Sequence, residues 1–257
     1  MDFVAIIPAR FASTRLPGKP LLEIAGKPMV IHVAERAAAS GASEVCIATD
    51  HEKIADAAKR YGFQACLTDN KHASGTERIA EVARLKNYSD IRVVVNVQGD
   101  EPLIEPALIR EVAEHLEQHP KASMSTACHP IEDARAMFNP NVVKVVLDHD
   151  GYALYFSRAP IPYARDAFAQ SQASLPSGIL AYRHIGIYAY RAGFLRTYAA
   201  LKPSLIEQYE ALEQLRVLAN GYRISVSVTR TTPAPGVDTQ EDLENLRSLL
   251  DRTQKRE

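Results

Sequence analysis

Cysteine is scarce in this sequence, and tryptophan is absent. The three cysteines, Cys46, Cys66 and Cys128, stand far apart, with no Cys-x-x-Cys pair and no Cys/His cluster of zinc-ligand spacing. An odd number of dispersed cysteines argues against both a disulfide framework and a structural zinc site. Cys46 and Cys128 stand in apolar, strand-like runs, so we expect both to be small core residues.

Long apolar runs are also missing, so no membrane-spanning helix is expected. The short apolar run 3–7 has no basic leader and ends at Pro8, which favours a buried first strand over a signal peptide. Positive charge is not in excess, since 30 basic and 31 acidic residues give a net charge of −1. We therefore expect a cytoplasmic protein that neither spans a membrane nor coats nucleic acid.

Short apolar strands alternate with amphipathic helices over the first half of the sequence. The chain has 257 residues, of which 46% are hydrophobic, and is long enough to bury a sizeable core. This alternation predicts a parallel sheet with helices on both faces. The predicted strands are 3–7, 45–48, 63–67 and 93–97, and the predicted helices are 28–40, 51–61, 76–85 and 108–116.

The pattern changes after Phe138. An Asp-His-Asp-Gly turn at 148–151 separates two strand-like runs, which predicts a β-hairpin. The stretch 165–177 is rich in Ala, Gln and Ser, and we expect it to be an exposed loop. The other predicted elements are the hairpin strands 142–147 and 152–156, strands 184–190 and 224–228, and helices 206–218 and 240–250.

The predicted fold class is α/β, a single Rossmann-like domain over 1–257 with a mostly parallel mixed sheet. Its core is expected at 1–140 and 205–250. A hairpin subregion is expected to be inserted at about 141–204.

A cationic loop, residues 8–20, follows the first strand and contains Arg10, Arg15 and Lys19 but no acidic residue. Loops at the carboxyl ends of strands form the ligand crevice of open α/β sheets. Cations placed there require an anion, and a triphosphate offers oxygens that guanidinium groups bind in pairs. The alternative is a solvated basic loop, because charge runs usually face water.

Gly18 allows backbone amides of this loop to approach phosphate. The loop does not match the Walker pattern GxxxxGK[ST], which excludes a P-loop. No GxGxxG follows the first strand, which disfavours a dinucleotide-binding dehydrogenase.

Two acidic residues are candidate metal ligands. Asp100 follows a strand and Gly99, and Asp238 stands in a turn before the last helix. Mg²⁺ prefers hard oxygen ligands, usually one or two carboxylates together with phosphate oxygens and water. Asp238 could instead cap the last helix, Asp100 could be a turn residue, and Glu101 competes with Asp100. Sequence spacing does not show whether the two aspartates meet.

Further polar residues could contact a nucleotide or an acidic substrate. Gln98 and Ser74 are candidates for the nucleotide, although Ser74 could equally cap a helix. Arg158 and Arg78 are candidate anion clamps, with a solvated cation as the alternative for Arg78. None of these roles is decided by residue chemistry alone.

His184 and Tyr188 are four apart in one predicted strand and should point to the same face. Glu207, Glu210 and Gln214 form one polar stripe on the predicted helix 206–218, which could simply face solvent. Glu213 lies on another face of that helix and is expected to pair with Arg216.

The string Ile7–Pro20 resembles the signature loop of the nucleotide-sugar pyrophosphorylase superfamily. The exact sequence of this loop is similar to that of the 3-deoxy-manno-octulosonate cytidylyltransferase (CMP-Kdo synthetase) family. This resemblance extends along nearly the whole chain through the strings Ala48–Asp50, Ser74–Arg78, Asn96–Pro102, Tyr155–Arg158, Arg183–Tyr188, Glu213–Arg216 and Gly236–Thr239.

The resemblance implies a nucleotidyltransferase that moves CMP from CTP to the anomeric hydroxyl of 3-deoxy-manno-octulosonate (Kdo), for lipopolysaccharide synthesis. It also implies a homodimer and a Mg²⁺ cofactor held by Asp100 and Asp238. The residues it implies for catalysis and nucleotide binding are Arg10, Arg15, Lys19, Ser74 and Gln98, and those for the sugar are Arg78, Arg158, His184, Tyr188, Glu210 and Gln214.

Residue chemistry alone does not distinguish CTP from UTP or TTP. Another sugar nucleotidyltransferase, such as one resembling CMP-sialic acid synthetase, therefore remains an alternative. So does a non-catalytic nucleotide-binding protein on the same fold, because a fold does not determine a function.

Overall fold

The computed structural model describes residues 1–12, 16–72, 74–230 and 236–254, with side chains described as far as residue 250. Within these residues the strands are β1 Phe3–Ala9, β2 Glu23–Ile24, β3 Lys27–Pro28, β4 Glu44–Thr49, β5 Gln64–Leu67, β6 Val93–Asn96, β7 Met124–Pro130, β8 Lys144–Leu147, β9 Ala153–Ser157, β10 Tyr182–Arg191 and β11 Ile224–Val228. The helices are α1 Met29–Ala39, α2 Glu52–Arg60, α3 Gly75–Leu85, α4 Pro106–Gln118, α5 Ala134–Phe138, α6 Arg165–Gln170, α7 Ala192–Ala200, α8 Leu205–Glu210, α9 Gln214–Ala219 and α10 Gln240–Gln254, and Lys19–Leu21 form a 3₁₀ turn.

The central sheet has the strand order β11-β7-β10-β6-β1-β4-β5. Strand β1 pairs in parallel with β4 and β6, whereas β10 runs antiparallel to β6 and β7. The predicted mostly parallel mixed sheet is therefore confirmed. Because β1, β4 and β6 end at the same edge, the segments that follow them are brought together there.

Apolar side chains cover both faces of the sheet. Strand β1 is buried on both sides, as its unbroken apolar run predicts. Helices α1 and α4 pack on one face, with Val30 and Ile109 in the same cluster as Ile7. Helix α3 packs on the other face, with Ile79 in the same cluster as Ile6. The edge that carries the polar segments thus rests on a rigid, closely packed support.

The predicted β-hairpin is present as β8 and β9, which pair antiparallel. Gly151 has φ 79°, a left-handed conformation that suits glycine in the turn between them. Strand β8 also pairs with β10. The hairpin is therefore continuous with the central sheet rather than a separate layer.

Two predicted elements are wrong in part. The stretch 165–177 begins with helix α6, whose Phe168 is buried and contacts Phe138 at 5.0 Å between ring centroids. One buried aromatic therefore orders half of a segment whose composition resembles a loop. The predicted helix 206–218 is divided into α8 and α9, because Ala211 adopts a left-handed conformation with φ 51° and ends α8.

The cysteines agree with the prediction for core residues. Cys46 and Cys128 are fully buried, Cys66 is partly buried, and all three are free thiols. In the described part of the chain, no helix combines the length and apolar character needed to cross a membrane.

Candidate active site

The cationic loop is anchored at both of its ends. Leu16 is buried and packs in the cluster that contains Val237 and Leu243 of the C-terminal region. The backbone N–H of Gly18 donates to the carbonyl of Phe11 at 3.3 Å, which closes the loop. Gly18 has φ 65°, a conformation that favours glycine and directs the chain into the turn containing Lys19. Arg15, expected to contact phosphate, lies outside the described residues.

Lys19 lies between the two predicted metal ligands. Its Nζ donates to Asp100 Oδ2 at 2.8 Å and to Asp238 Oδ1 at 3.0 Å. The side chain of Lys19 is 13% exposed, whereas those of Asp100 and Asp238 are 38% and 49% exposed. The structure thus brings together three charges that are far apart in the sequence and leaves the carboxylates open to solvent.

The start of α10 explains why Asp238 can take part in this cluster. The expected alternative for Asp238 was a helix cap. The capping contact comes instead from Thr239, whose Oγ1 accepts the backbone N–H of Asp242 at 3.2 Å. Asp242 Oδ2 in turn accepts the backbone N–H groups of Asp238 and Thr239. The backbone of Asp238 is held in this way while its Oδ1 faces Lys19.

A cavity of about 410 Å³, here called the cationic cavity, opens at this edge of the sheet. Gly99 allows its walls to approach each other, since a Cβ there would lie 2.7 Å from the carbonyl oxygen of Pro8. An alanine at this position would push β1 away from the turn after β6. The charged and amide side chains that line the cationic cavity are Arg10, Lys19, Arg78, Gln98, Asp100 and Asp238.

Arg78 occupies an environment that the sequence did not indicate. Its side chain is fully buried, so the alternative of a solvated cation is wrong. Its Nη2 donates to Asp50 Oδ2 at 2.9 Å, and Nη1 donates to Thr68 Oγ1. Burial of an arginine requires such partners, because an unpaired buried charge is costly. Arg78, expected as a sugar contact, therefore lines the cationic cavity as part of a paired cluster.

A second cavity of about 350 Å³, here called the tyrosine cavity after Tyr188, adjoins the first. The two cavities share Gly75, Gln98 and Asp100 in their walls. Gln98 Nε2 donates to the carbonyl of Gly186 at 3.4 Å across this boundary. Ligands in the two cavities would therefore meet beside Asp100.

Glu213 lines the tyrosine cavity. The sequence had instead predicted an ion pair between Glu213 and Arg216. The expected pairing of Glu213 with Arg216 is wrong, because Arg216 donates to Glu207 at 2.6 Å. Glu213 Oε2 accepts instead from Thr76 Oγ1 at 3.0 Å. Burial raises the pKa of the Glu213 carboxyl. The break at Ala211 accounts for the difference, since a continuous helix would give Glu213 a different direction.

Gln214 lies next to Glu213 and is only 4% exposed. Its Nε2 is a buried donor without a hydrogen-bond partner among the described residues, and the same holds for the Oδ1 acceptor of Asn96. Both residues line the tyrosine cavity. Buried polar atoms normally have partners, so this donor and this acceptor make Gln214 and Asn96 candidate contacts for a polar ligand with hydroxyl groups. The expectation that Gln214 contacts the substrate agrees with this position.

His184 and Tyr188 lie on the same face, as predicted, with ring centroids 5.5 Å apart. Tyr188 lines the tyrosine cavity. His184 packs against Phe156, and its Nε2 lies 2.9 Å from Thr126 Oγ1. Burial lowers the pKa of His184 to about 3. His184 is therefore a neutral residue in this structure and supports Tyr188 rather than lining the tyrosine cavity itself.

Arg158 and Glu210 were expected to bind the sugar. In the structure, each of them forms hydrogen bonds with the segment that contains the other. Glu210 accepts from Ser157 Oγ at 2.5 Å and from the backbone N–H of Arg158 at 2.8 Å. Arg158 Nε donates to the carbonyl of Glu210 at 2.7 Å, and Nη1 donates to the carbonyl of Pro140. Neither is among the residues that line the two cavities. In this structure they join the hairpin to α8, and their expected contact with the sugar stays a prediction.

Ser74 is placed as the capping alternative describes. Its Oγ accepts the backbone N–H of Glu77 at 3.2 Å at the start of α3, and the residue is 8% exposed. The next residue, Gly75, lines both cavities. The cap of α3 therefore sets the position of the backbone between them.

The donor set around Asp100 and Asp238 is compatible with one hard divalent cation. The described residues contain no group of three or more His, Cys, Asp or Glu side chains able to hold a metal alone. Two half-exposed carboxylates suit Mg²⁺, which usually takes its remaining ligands from water and phosphate. Burial, together with the nearby Asp100, raises the pKa of Glu101 to about 7. Of this adjacent pair, Asp100 is the member that meets Lys19 together with Asp238.

Comparisons with known proteins agree with this architecture. The family model described as Cytidylyltransferase matches residues 4–224. Two curated relatives, from Yersinia enterocolitica (serotype O:8 / biotype 1B) and Serratia proteamaculans, are 57% and 58% identical over 250 residues. Each match covers 97% of this chain and 99% of the relative, and both relatives are named 3-deoxy-manno-octulosonate cytidylyltransferase.

A similar fold occurs in solved structures. A structure described as CMP:2-keto-3-deoxy-manno-octonic acid synthetase complexed with CTP has a TM-score of 0.89 and 41% identity, and the match covers 98% of this chain and 100% of that one. A cytidylyltransferase from Leptospira borgpetersenii shares only the fold, with a TM-score of 0.62 at 17% identity. From its near-complete match to these relatives, the chain belongs to the 3-deoxy-manno-octulosonate cytidylyltransferases of the cytidylyltransferase family.

Proposed function

We propose that the protein transfers CMP from CTP to the anomeric hydroxyl of 3-deoxy-manno-octulosonate and releases pyrophosphate. The observation that carries this proposal is the convergence of Lys19, Asp100 and Asp238 on one open cavity. The names of the relatives and the CTP complex of the structural neighbour supply the two substrates. The triphosphate would lie in the cationic cavity and the sugar acid in the tyrosine cavity.

The reaction is a single in-line displacement at the α-phosphorus. A bond forms from the sugar hydroxyl oxygen to phosphorus, the bond from phosphorus to pyrophosphate breaks, and the hydroxyl proton passes to water in the open cavity. Catalysis of phosphoryl transfer depends mainly on positioning and charge stabilisation. Lys19 and Arg10 would neutralise the departing phosphates, as would Arg15, and no covalent enzyme intermediate is required.

Asp100 and Asp238 would hold Mg²⁺ together with phosphate oxygens. The ion, when bound, neutralises phosphate charge and helps a bound hydroxyl to ionise. Lys19 pairs with both carboxylates in this structure. When the nucleotide binds, Lys19 would donate at least one hydrogen bond to a phosphate oxygen, since an ammonium has three N–H donors.

The sugar acid would be bound mainly through its hydroxyl groups. Gln214 and Asn96 offer one open donor and one open acceptor, and Glu213 offers a carboxyl group. Asp100 and Gln98 stand in the walls of both cavities, so the anomeric hydroxyl would reach the α-phosphate at that boundary. An acceptor bound in this way would meet the α-phosphate without a further catalytic group.

A homodimer in the cytoplasm is part of this proposal. Strand β9 lies outside the main strand path and pairs with β8, and its Leu154 is 61% exposed. An apolar edge strand is a surface on which a second copy can pair. Three free thiols suit a reducing compartment. Sedimentation of the wild type and of Leu154→Asp tests the assembly: the variant should be monomeric, and a wild-type monomer would contradict the dimer.

Pyrophosphate release tests the activity directly. The assay compares CTP with UTP and TTP, and Kdo with a sialic acid, with Mg²⁺ and with EDTA. We expect turnover with CTP, Kdo and Mg²⁺ together. Higher turnover with a sialic acid would favour the CMP-sialic acid synthetase alternative, and binding of nucleotide without release in any combination would favour a non-catalytic protein.

A further inference from the structure

Asp50 stands directly after β4, beside the loop that leaves β1. The parallel pairing of β1 and β4 sets Ala9 opposite Thr49, so the next residue of each strand lies at the crevice. The side chain of Asp50 is only 11% exposed. A carboxylate so far from water needs a partner for each of its oxygens.

The two oxygens of Asp50 have partners in different segments. Oδ1 accepts the backbone N–H of Phe11 at 3.2 Å. Oδ2 accepts Arg78 Nη2 at 2.9 Å. Phe11 belongs to the cationic loop, and Arg78 is a fully buried wall residue of the cationic cavity. One carboxylate therefore joins the loop to a cation on α3.

Phe11 extends this connection to both ends of the loop. Its ring stacks on His51, with centroids 3.9 Å apart and planes 18° from parallel. Its carbonyl accepts the N–H of Gly18 at 3.3 Å, and its ring lies 3.6 Å from the point where a Gly18 Cβ would stand. Arg10 precedes Phe11 and Lys19 follows Gly18, so fixing Phe11 also fixes the backbone at both cations.

We propose that Asp50 is a positioning residue for the nucleotide, which holds Arg78 and the described ends of the cationic loop, at Phe11 and Gly18, in one geometry before the triphosphate binds. The inference rests on the proposed function in taking CTP as the nucleotide. Binding to a site already in its final geometry avoids the loss of affinity that ordering a loop entails. Without this carboxylate, the loop would have to be ordered by the nucleotide itself.

Asp50→Asn is the direct test, because it keeps the side-chain shape and removes the charge that binds Arg78. We expect the KM for CTP to rise about 10- to 100-fold, as for the loss of hydrogen bonds to charged groups. The inhibition constant of inorganic triphosphate should rise with it, while the KM for Kdo should stay unchanged. A purely structural role would instead raise both KM values in step with a fall in melting temperature.

Glu207→Gln is the matched control. It weakens another buried ion pair, in which Glu207 lies 2.6 Å from Arg216 and the two side chains are 10% and 13% exposed. This control should lower the melting temperature and leave the KM for CTP unchanged. An unchanged KM for CTP in Asp50→Asn, or equal rises for CTP and Kdo, would overturn the inference.

His51→Asn gives a second test that leaves the Asp50–Arg78 pair in place. Asparagine can replace the cap that His51 Nδ1 supplies to the N–H of Lys53, but it lacks the ring that stacks on Phe11. We expect the KM for CTP to rise about 2- to 10-fold, as for the loss of an aromatic pair. If Asp50→Asn does not fold, an unchanged KM for CTP in His51→Asn overturns the inference.

The two proposals can fail separately. If the wild type does not turn over CTP, the proposed function fails. The rise in melting temperature caused by inorganic triphosphate, compared between the wild type and Asp50→Asn, then still tests the role of Asp50. A rise equal in both proteins would contradict that role.

Discussion

The two adjoining cavities differ in the exposure and charge of their polar groups. In the cationic cavity, Lys19 pairs with two aspartates whose side chains are 38% and 49% exposed. In the tyrosine cavity, burial raises the pKa of both Glu213 and Tyr188, which favours their neutral forms. Exchangeable ion pairs suit phosphate and metal, whereas buried groups that ionise less readily suit hydroxyls, so the proposed function assigns its two substrates to different cavities.

Asp100→Ala should have the largest effect, because Asp100 stands at the boundary of both cavities. We expect kcat to fall about 100- to 1,000-fold or more, as when a group that stabilises transition-state charge is removed. Pyrophosphate release measures this at saturating CTP and Mg²⁺. The matched control is Glu105→Ala, an exposed acid in the same segment. Unchanged Mg²⁺-dependent turnover in Asp100→Ala would remove the metal assignment.

Lys19→Met tests the charge balance of the cationic cavity. It should raise the KM for CTP about 10- to 100-fold, since a charged donor to phosphate is lost. It also leaves Asp100 and Asp238 without their ammonium partner, so dependence on Mg²⁺ should become steeper. Lys27→Met is the control, because Lys27 forms a surface pair with Glu35. An equal effect in both variants would mean that general charge, rather than the cavity, is responsible.

Glu213→Gln probes the tyrosine cavity. We expect the KM for Kdo to rise about 3- to 10-fold, the usual range for one hydrogen bond, with no change for CTP. Glu210→Gln is the control, since Glu210 joins the hairpin to α8 instead. An equal rise in the KM for Kdo in Glu210→Gln and Glu213→Gln would contradict this assignment, in which only Glu213 lines the tyrosine cavity.

The same variant has an effect on stability that depends on pH. The folded protein raises the pKa of Glu213 above its usual 4.5, so the contribution of this group to stability is present below about pH 4.5. It is lost as the pH rises through the raised value. Glutamine does not ionise, so Glu213→Gln should be more stable than the wild type at pH 8. Urea unfolding at pH 4 and pH 8 should show the difference only at the higher pH.

The smallest effect on activity is expected from the ionisation of His184. Burial lowers its pKa from 6.5 to about 3, so the folded protein keeps it neutral at any working pH. Its imidazole NMR shifts should therefore not titrate between pH 8 and pH 5, and the pH profile of kcat should lack its ionisation. Stability should fall as the pH drops below 6.5, because the unfolded chain then binds a proton that the folded one excludes. A His184 titration near pH 6.5 would contradict this placement.

The cationic loop and most of the parallel strands could be predicted from local sequence. An unbroken apolar run identifies β1, and the absence of acidic residues from the loop predicts an anion site. The errors have one cause, which is tertiary override of local signals. Phe168 orders part of a stretch that looks like a loop, and Ala211 interrupts a helix whose polar stripe looks regular.

The candidate sugar contacts show the same limit most clearly. The alternation of side chains along a strand predicted that His184 and Tyr188 share a face. Their close contact also depends on an irregularity of β10 between Ile185 and Tyr188, which the sequence did not show. The predicted continuous helix gave Glu213 the wrong direction, because the left-handed Ala211 changes the direction of the residues after it. Resemblance to the family identified segments that lie at the two cavities. It did not establish which residue in each segment contacts a ligand.

By itself, the sequence determined the alternating strands and helices as far as α4, the hairpin, the cationic loop and the family, since these depend on local pattern and on strings along the chain. It did not predict β7 or α7. Only the tertiary structure decided which charges meet. Lys19, Asp100 and Asp238 converge because parallel strands end at one edge and α10 returns to it. Arg78 is buried rather than solvated because Asp50 and Thr68 come from neighbouring strand ends. Such pairings depend on packing between distant segments, which local sequence does not encode residue by residue.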